Sequence, residues 1–419
     1  MYLTLFVLAS LWTAATSAVA DVLTREAAVA VVLDDHPEVL ASKAAWSVAR
    51  GRHLQNSILS DPELEIEFEE LPGVLDTGQF GERNVSVTQM IENPVKWFYR
   101  NKSSGYNVES VRLAGYEMTR LRMAARAKIA FDRVLADEMI LASTTENFEL
   151  SRSLSHRARI RFDAGDIPKL ELLRALVEEA RAQNRRTEAK GRMIGSRQGL
   201  NVLMGRSGGS DLELSGNLST EAFVISPDML RQETTSRPDV RGAEQSLAAN
   251  RAARSATLAS WVPDLNLGIG RQTIDSTVGR SSFWRASLGF SLPLWAPFRQ
   301  RGEWIAASAN RALAEAELAS VTRSAGLEVD EAFLAYQTGQ EQVRLFEDRI
   351  LKLAEETYRV AQESYSHGKA SYLDLLGAQK TLMASRIEHV EALLAFRTAI
   401  AELELAVGAN LTLPEVIKQ

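Results

Sequence analysis

The amino-acid sequence predicts a mainly α protein with a small β part and an internal two-fold repeat. Three observations carry this. The stretch Tyr365–Ala378 interrupts a helical pattern that fills most of the last 120 residues, and it returns as Phe162–Ala175. Gly165 and Gly368, Leu170 and Leu373, Glu171 and Asp374, Leu173 and Leu376, Ala175 and Ala378, and Gly205 and Gly408 are each 203 residues apart, an ungapped correspondence over about 44 positions. Between the helical stretches, short segments in each half switch from a period near 3.6 to a period of two, the mark of strands.

Each repeated stretch is the tip of a helical hairpin. Gly368 can take the left-handed conformation that closes a helix. Ser371 followed three residues later by Asp374 has the form of a capping box that opens the next one. In the first copy, Pro168 suits the first turn of the returning helix.

The chain of 419 residues is rich in Ala, Leu, Glu and Arg with only 11 Pro, so two halves of one elongated helical body explain its length better than two separate domains. A net charge of −6, with Lys and Arg spread throughout, argues against nucleic acid as a partner. The absence of cysteine excludes disulfides, thiolate metal sites and a lipidated N-terminal Cys. Residues 1–20 hold no charge, an apolar run Leu3–Leu11 and Ala18-Val19-Ala20 before Asp21, the pattern of a secretory signal peptide. A membrane anchor is the weaker alternative, because a spanning helix needs roughly 20 apolar residues.

Taken in order, 21–205 form the first repeat, 206–235 a connector, 236–408 the second repeat and 409–419 a tail. Thr24–Ser60 is helical, broken at Asp35-His36-Pro37-Glu38 by the proline. Pro37-Glu38-Val39 returns as Pro238-Asp239-Val240, and Asp61-Pro62-Glu63-Leu64 as Val262-Pro263-Asp264-Leu265, both 201 residues on. A β-hairpin follows at about 62–92, in which Leu64, Ile66 and Phe68 alternate with Glu63, Glu65, Glu67 and Glu69. The second, at about 263–293, alternates Leu265, Leu267 and Ile269 with polar residues, crosses a loop expected over Thr273–Ser282 and returns through Trp284, Ala286, Leu288, Phe290 and Leu292. A soluble sheet packed on helices is the bland account. The leader, strands of about ten residues and aromatic residues near the ends of the apolar faces (Phe68, Trp284 and Phe283) fit membrane-barrel strands better. Four strands cannot close a barrel, so copies must associate: two would give eight strands, three twelve.

Beyond each hairpin a long helix is expected, from about Lys102 to Arg161 and from about Gln300 to Ser366, roughly 90 to 100 Å at 1.5 Å per residue. Each returns through a helix ending at Gly205 or Gly408. In the second copy Leu393, Phe396, Ile400, Leu403 and Val407 step by 3, 4, 3 and 4, a coiled-coil seam. Each half therefore reads helix, hairpin, long helix, tip, long helix, with strands at one end and tips at the other.

This order resembles the TolC family of outer-membrane efflux channels over essentially the whole mature chain. The residues that carry the resemblance are Leu23-Thr24-Arg25-Glu26-Ala27, His36-Pro37-Glu38 and Arg237-Pro238-Asp239, the two strand openings at 61–64 and 262–265, and Gly368–Leu376 with Ala378-Gln379. The resemblance implies a homotrimer, a periplasmic α-barrel of paired helices and a twelve-stranded β-barrel in outer-membrane lipid. It also implies docking to a periplasmic adaptor that connects to an inner-membrane pump, usually of the resistance-nodulation-division type. The acidic first strand and the Asp-Pro-Glu-Leu opening look most like the heavy-metal efflux branch. Where that branch usually has Gly-Lys-Arg after the second strand, this chain has Asn93-Pro94-Val95-Lys96-Trp97-Phe98.

The resemblance also marks candidate sites. Gly165, Asp166 and Ile167 with Gly368, Lys369 and Ala370 look like the tips that meet the adaptor; a plain αα-hairpin turn is the alternative. Asp374 matches the first acid of a two-acid periplasmic constriction, with Glu171 its counterpart, while Gly377 and Arg174 occupy the second position. A ring of such acids would attract cations and gate with pH, whereas a lone Asp374 would serve as a cap favoured by the helix dipole. Glu63, Glu65, Glu67 and Glu69 would line the lumen as a solvated polar wall with some preference for cations.

The five histidines show no ligand spacing and the nine methionines no cluster, so neither a metal site nor any cofactor is expected. No Ser/His/Asp set, phosphate loop or His-x-x-x-His element marks an enzyme. Two rival functions remain: an outer-membrane channel for type I protein secretion, which shares every feature named here, and a periplasmic coiled-coil scaffold without a pore.

Overall fold

The computed structural model describes residues 22–71, 73–74, 77, 80–218, 230, 233–276, 279–291 and 296–409. The leader expected over 1–20, Pro72 and Gly78 of the first hairpin loop, Leu292 of the second hairpin, the middle of the connector and nearly all of the tail lie outside them. The chain divides into two compact units, one of Met1–Val32, Ala127–Thr220 and Val343–Arg397, the other of Leu33–Arg126, Glu221–Gln342 and Thr398–Gln419. The first carries both helix tips and the second carries the strands.

Helix α1 (Arg25–Asp35) stops before Pro37, and α2 (Pro37–Ser57) opens with that proline in its first turn, where no N–H is lost from the helical ladder. His36 caps it, its Nδ1 accepting from the Glu38 N–H at 3.2 Å. Strands β1 (Glu63–Glu69), β2 (Glu82–Ile91), β3 (Leu265–Ser276) and β4 (Gly279–Phe290) form one antiparallel sheet in the order β1-β2-β3-β4.

Where a loop is expected over Thr273–Ser282, the described residues 273–276 and 279–282 are instead paired strand. Thr273 sits opposite Ser282, Ile274 opposite Ser281 and Asp275 opposite Arg280. Thr273 Oγ1 and Ser282 Oγ are 3.1 Å apart, a cross-strand pair that favours continuation of the ladder. Gly279, at φ +128°, carries the chain into β4. The register also moves Phe283 off the apolar face: it lies opposite Gln272, on the side of the strand acids.

The long helices begin earlier than Lys102 and Gln300. The first runs as α3 (Pro94–Ser110), a π-helical turn (Val111–Glu117) and α4 (Met118–Asp163). Asn93 explains its start, because its side chain accepts from the Val95 N–H at 2.8 Å while its own N–H donates to Asp264 at 2.9 Å. The second runs as α7 (Ala296–Leu345), a π-helical turn (Phe346–Ile350) and α8 (Leu351–Ser366). Neither π turn has a counterpart in the sequence reading. At the first, Arg112 bridges Glu109 at 2.6 Å and Glu117 at 3.2 Å. Gly242 of α6 (Pro238–Ala259) meets it so closely that an added Cβ would lie 2.6 Å from the Ala114 Cβ.

The returning helices are α5 (Lys169–Leu203) and α9 (Tyr372–Val407). Four helix ends share one closure. Gly165, Gly205, Gly368 and Gly408 have φ of 80°, 74°, 71° and 78°. The next N–H of each donates five residues back: Asp166 to Arg161, Arg206 to Asn201 and Lys369 to Ser364, each at 2.8 Å, and Ala409 to Glu404 at 3.2 Å. The seam residues Leu393, Phe396, Ile400, Leu403 and Val407 are all buried. Among the described residues no helix is long and apolar enough to cross a membrane.

Candidate functional site

Both tips pack on one small core. Ala158, Ile167, Ala175, Tyr372 and Leu376 are buried together, with Phe162, Leu172 and Tyr365 against them. Ile167, expected among the docking residues, is 7 % exposed, so its side chain holds the tip together from inside. Gly165, Asp166, Gly368 and Lys369 are exposed and Ala370 is half-buried. Pro168 stands one residue before the first turn of α5, as its N-cap, with no side-chain hydrogen bond.

At the second tip the capping box forms. Ser371 donates to Asp374 Oδ2 from its hydroxyl at 2.7 Å and its N–H at 3.0 Å, and the Asp374 N–H donates back to Ser371 Oγ at 3.3 Å. The Ser371 hydroxyl and then its N–H hold the Asp374 carboxyl below its ordinary range. Glu171 takes a different part. Tyr365 Oη donates to Glu171 Oε1 at 3.3 Å and accepts from Arg161 Nη1 at 3.0 Å, and the Arg161 guanidinium lies over the Tyr365 ring at 5.6 Å. Burial, with help from the Glu171 carboxylate, raises the Tyr365 phenol. Burial, then Glu178, pushes Tyr372 up to about 12. Both phenols stay neutral at physiological pH, so Tyr365 acts as a hydrogen-bonding link between the last turn of α4, the first of α5 and the end of α8.

Sequence reading missed this link. The one available signal was that Phe162 and Tyr365 occupy the same position of the two copies, 203 residues apart. It also missed a buried polar set on the same unit, where Gln379 Nε2 donates to Asn147 Oδ1 at 2.9 Å and Ser151 Oγ at 3.0 Å. Arg174 and Gly377 are exposed, and His367 is exposed beside Gly368.

The sheet sorts its residues by face. Glu63, Glu65, Glu67 and Glu69 lie opposite Thr88, Ser86, Asn84 and Glu82, all on the polar side. The other side carries Leu64, Ile66, Val87, Ile269, Trp284 and Leu288, each at least 41 % exposed. A sheet with an uncovered apolar face and an uncovered acidic face has two different surroundings, one apolar and one aqueous. Among the described residues no group of three or more His, Cys, Asp or Glu is placed to hold a metal ion.

Comparison with known proteins agrees with this geometry. The family model described as outer membrane efflux protein matches residues 229–409. The cobalt-zinc-cadmium resistance protein CzcC of Cupriavidus metallidurans is 25 % identical over 378 residues, 88 % of this chain and 86 % of that protein. The cation efflux system protein CusC of Escherichia coli K12 is 24 % identical over 259 residues, 60 % of this chain and 55 % of that protein. A crystal structure of CusC superposes with a TM-score of 0.79 at 16 % identity, covering 92 % of each chain, which shows a shared fold. The chain is thus similar to outer membrane efflux proteins, by the family model over residues 229–409 and by CzcC and the CusC fold over nearly its whole length.

Proposed function

We propose that this chain is the exit channel of a tripartite efflux system, conducting passively from an inner-membrane pump and periplasmic adaptor to the exterior. The two-faced sheet carries the reading. Its four strands are too few to close, and β1 and β4 stand at its edges. Two copies would give an eight-stranded barrel, filled by its own side chains; three give twelve strands and room for a water-filled lumen lined by Glu63, Glu65, Glu67 and Glu69. Residues 1–20 serve as export leader, and 21–205 and 236–408 as the two repeats around the connector 206–235.

The tips at Gly165-Asp166 and Gly368-Lys369-Ala370 meet the adaptor, where exposed glycine backbone permits close approach. The pump is of the resistance-nodulation-division type, and metal cations are the favoured cargo, since CzcC and CusC are named for cation resistance and efflux and the lumen wall is acidic. The Arg161–Tyr365–Glu171 link ties two tips of one protomer, and Asp374 from three protomers forms a cation-attracting constriction beside it.

Single-channel recording in planar bilayers tests this. The native protein is expected to give small, cation-selective currents, which grow in Asp374→Ala and in Tyr365→Phe. Absence of any channel, with a soluble monomer on sizing, would overturn the reading and leave a periplasmic scaffold.

A further inference from the structure

We propose that the lipid-facing side of the sheet carries a binding surface for the phosphate groups of an acylated phosphoglycolipid of the outer leaflet, formed by Arg83, Arg271 and Arg280. This rests on the channel reading above, because the apolar face must meet lipid. Strand β1 follows α2 and β2 leads into α3, so the hairpin ends point away from the helices. With the helices in the periplasm, those ends face the outer leaflet.

The register fixes what shares the apolar face. It is dominated by apolar side chains from the row of Leu265 and Phe290 to the row of Val87 and Ile269. The next rows toward the hairpin ends place Arg271 opposite Trp284, Arg83 opposite Thr273, and Arg280 opposite Asp275. Acyl-matching rows thus give way to arginines in three successive rows, with an indole at the boundary as expected of an interfacial ring.

All three arginines are exposed, and Arg83 and Arg280 are held in place. The guanidinium groups of Arg83 and Arg280 lie over the buried Phe80 ring at 5.3 and 5.0 Å from its centroid. Stacking uses the face of a guanidinium and leaves its N–H edge for the bidentate bonds that phosphate accepts. Arg280 is partly neutralised by Asp275 at 2.8 Å, while Arg271 has no carboxylate partner among the described residues. Arg83 and Arg271 are diagonal neighbours on adjacent strands, about 7 Å apart, and Arg280 stands two rows beyond Arg271 on the next strand, a spread suited to a lipid bearing more than one phosphate on a broad acylated head. Arg285 is turned to the other face, where it donates to Gln272 at 2.9 Å, and is excluded from the surface.

The test compares the detergent-purified native channel, Arg271→Gln, and the triple Arg83→Gln/Arg271→Gln/Arg280→Gln. Each is titrated with diphosphorylated lipid A and with the same lipid stripped of phosphate, bound lipid being counted by native mass spectrometry. The native protein is expected to retain the phosphorylated lipid at least tenfold better than the stripped one; Arg271→Gln loses several-fold and the triple loses the preference. Equal retention of both lipids by the native protein, or an unchanged preference in the variants, overturns the proposal. Conductance in bilayers without lipid A separates the two readings. Channels without lipid preference remove only this inference, and a native protein that forms no channel removes both. Arg271→Gln alone decides the matter if the triple variant does not assemble.

Discussion

At Gly165 the chain turns around a buried isoleucine. Ile167 enters the tip core, and Pro168 opens α5 without a side-chain cap. At Gly368 the same backbone turn puts a half-buried Ala370 at the position equivalent to Ile167, and Ser371 with Asp374 closes a reciprocal capping box. Both tips share the packed core, and the second adds a polar cap that the first lacks. The division recurs at the paired helix starts. His36 only caps α2, whereas Arg237, before the equivalent proline, is buried and bonds to Asp239, Glu328 and the Ala406 carbonyl. What the halves share is what the backbone cannot do otherwise: a left-handed residue after the helix and a proline in its first turn. What differs is how each half meets a requirement that packing or hydrogen bonding can satisfy equally.

The largest expected effect breaks the symmetry at the helix starts. The Arg237 side chain is 2 % exposed and lies 2.6 Å from Asp239 and 2.7 Å from Glu328. Arg237→Ala leaves two carboxylates and a carbonyl without their donor. Because Glu328 is half exposed, the cost falls below that of a fully buried pair, at about 2–3 kcal/mol. His36→Ala removes a single cap and costs about 1 kcal/mol. Thermal midpoints of the purified proteins check the order; equal losses would mean that the buried guanidinium is no more than a cap.

The same contrast shows what was legible in the sequence. The glycine tips, the prolines and the alternating strands answer to local rules, and they read directly from Gly165, Gly368, Pro37 and Leu64 with its neighbours. The Arg237 cluster did not, because Glu328 and Ala406 are distant in the chain and no spacing rule links them. Thr273–Ser282 looked like a loop because its polar residues carry a turn signal, yet cross-strand pairing to Ser281 and Arg280 overrode it. Phe283 was placed on the wrong face because one residue of register reverses every side chain. The π turns at 111–117 and 346–350 leave no mark in the hydrophobic period. Ile167 read as an exposed tip residue, since burial there depends on Tyr372 from the other hairpin.

A smaller effect separates the helix ends at Gly205 and Gly408. Both take the left-handed conformation, which costs an alanine roughly 1 kcal/mol. At Gly205 an added Cβ meets nothing within 4 Å; at Gly408 it comes within 2.9 Å of Arg237 Cγ and 3.3 Å of Pro238 Cδ. Gly205→Ala is therefore expected to lose about 1 kcal/mol and Gly408→Ala about 2 kcal/mol, the excess arising from displacement of Arg237. Combining Gly408→Ala with Arg237→Ala should remove that excess, and additive losses would show that the contact is relieved without disturbing the cluster.

The smallest effect distinguishes the tips by pH. Ser371→Ala deletes the cap of α9 and is expected to cost about 1 kcal/mol, against a few tenths for Pro168→Ala, which removes no side-chain hydrogen bond. Only the second tip has a titratable group in its cap. The folded Asp374 carboxyl sits below the ordinary 3.8 of an unfolded aspartate, drawn down by the Ser371 hydroxyl and N–H. Its contribution is then fully present above pH 3.8 and is lost as pH falls through the lower folded value. The stability gap between the native protein and Asp374→Asn should hold steady from neutral pH to about 4 and close in stronger acid. The gap for Pro168→Ala should not change over that range. If the Asp374→Asn gap instead closes well above pH 4, the carboxyl is being raised by its symmetry mates rather than lowered by its cap, and the ring of acids outweighs Ser371.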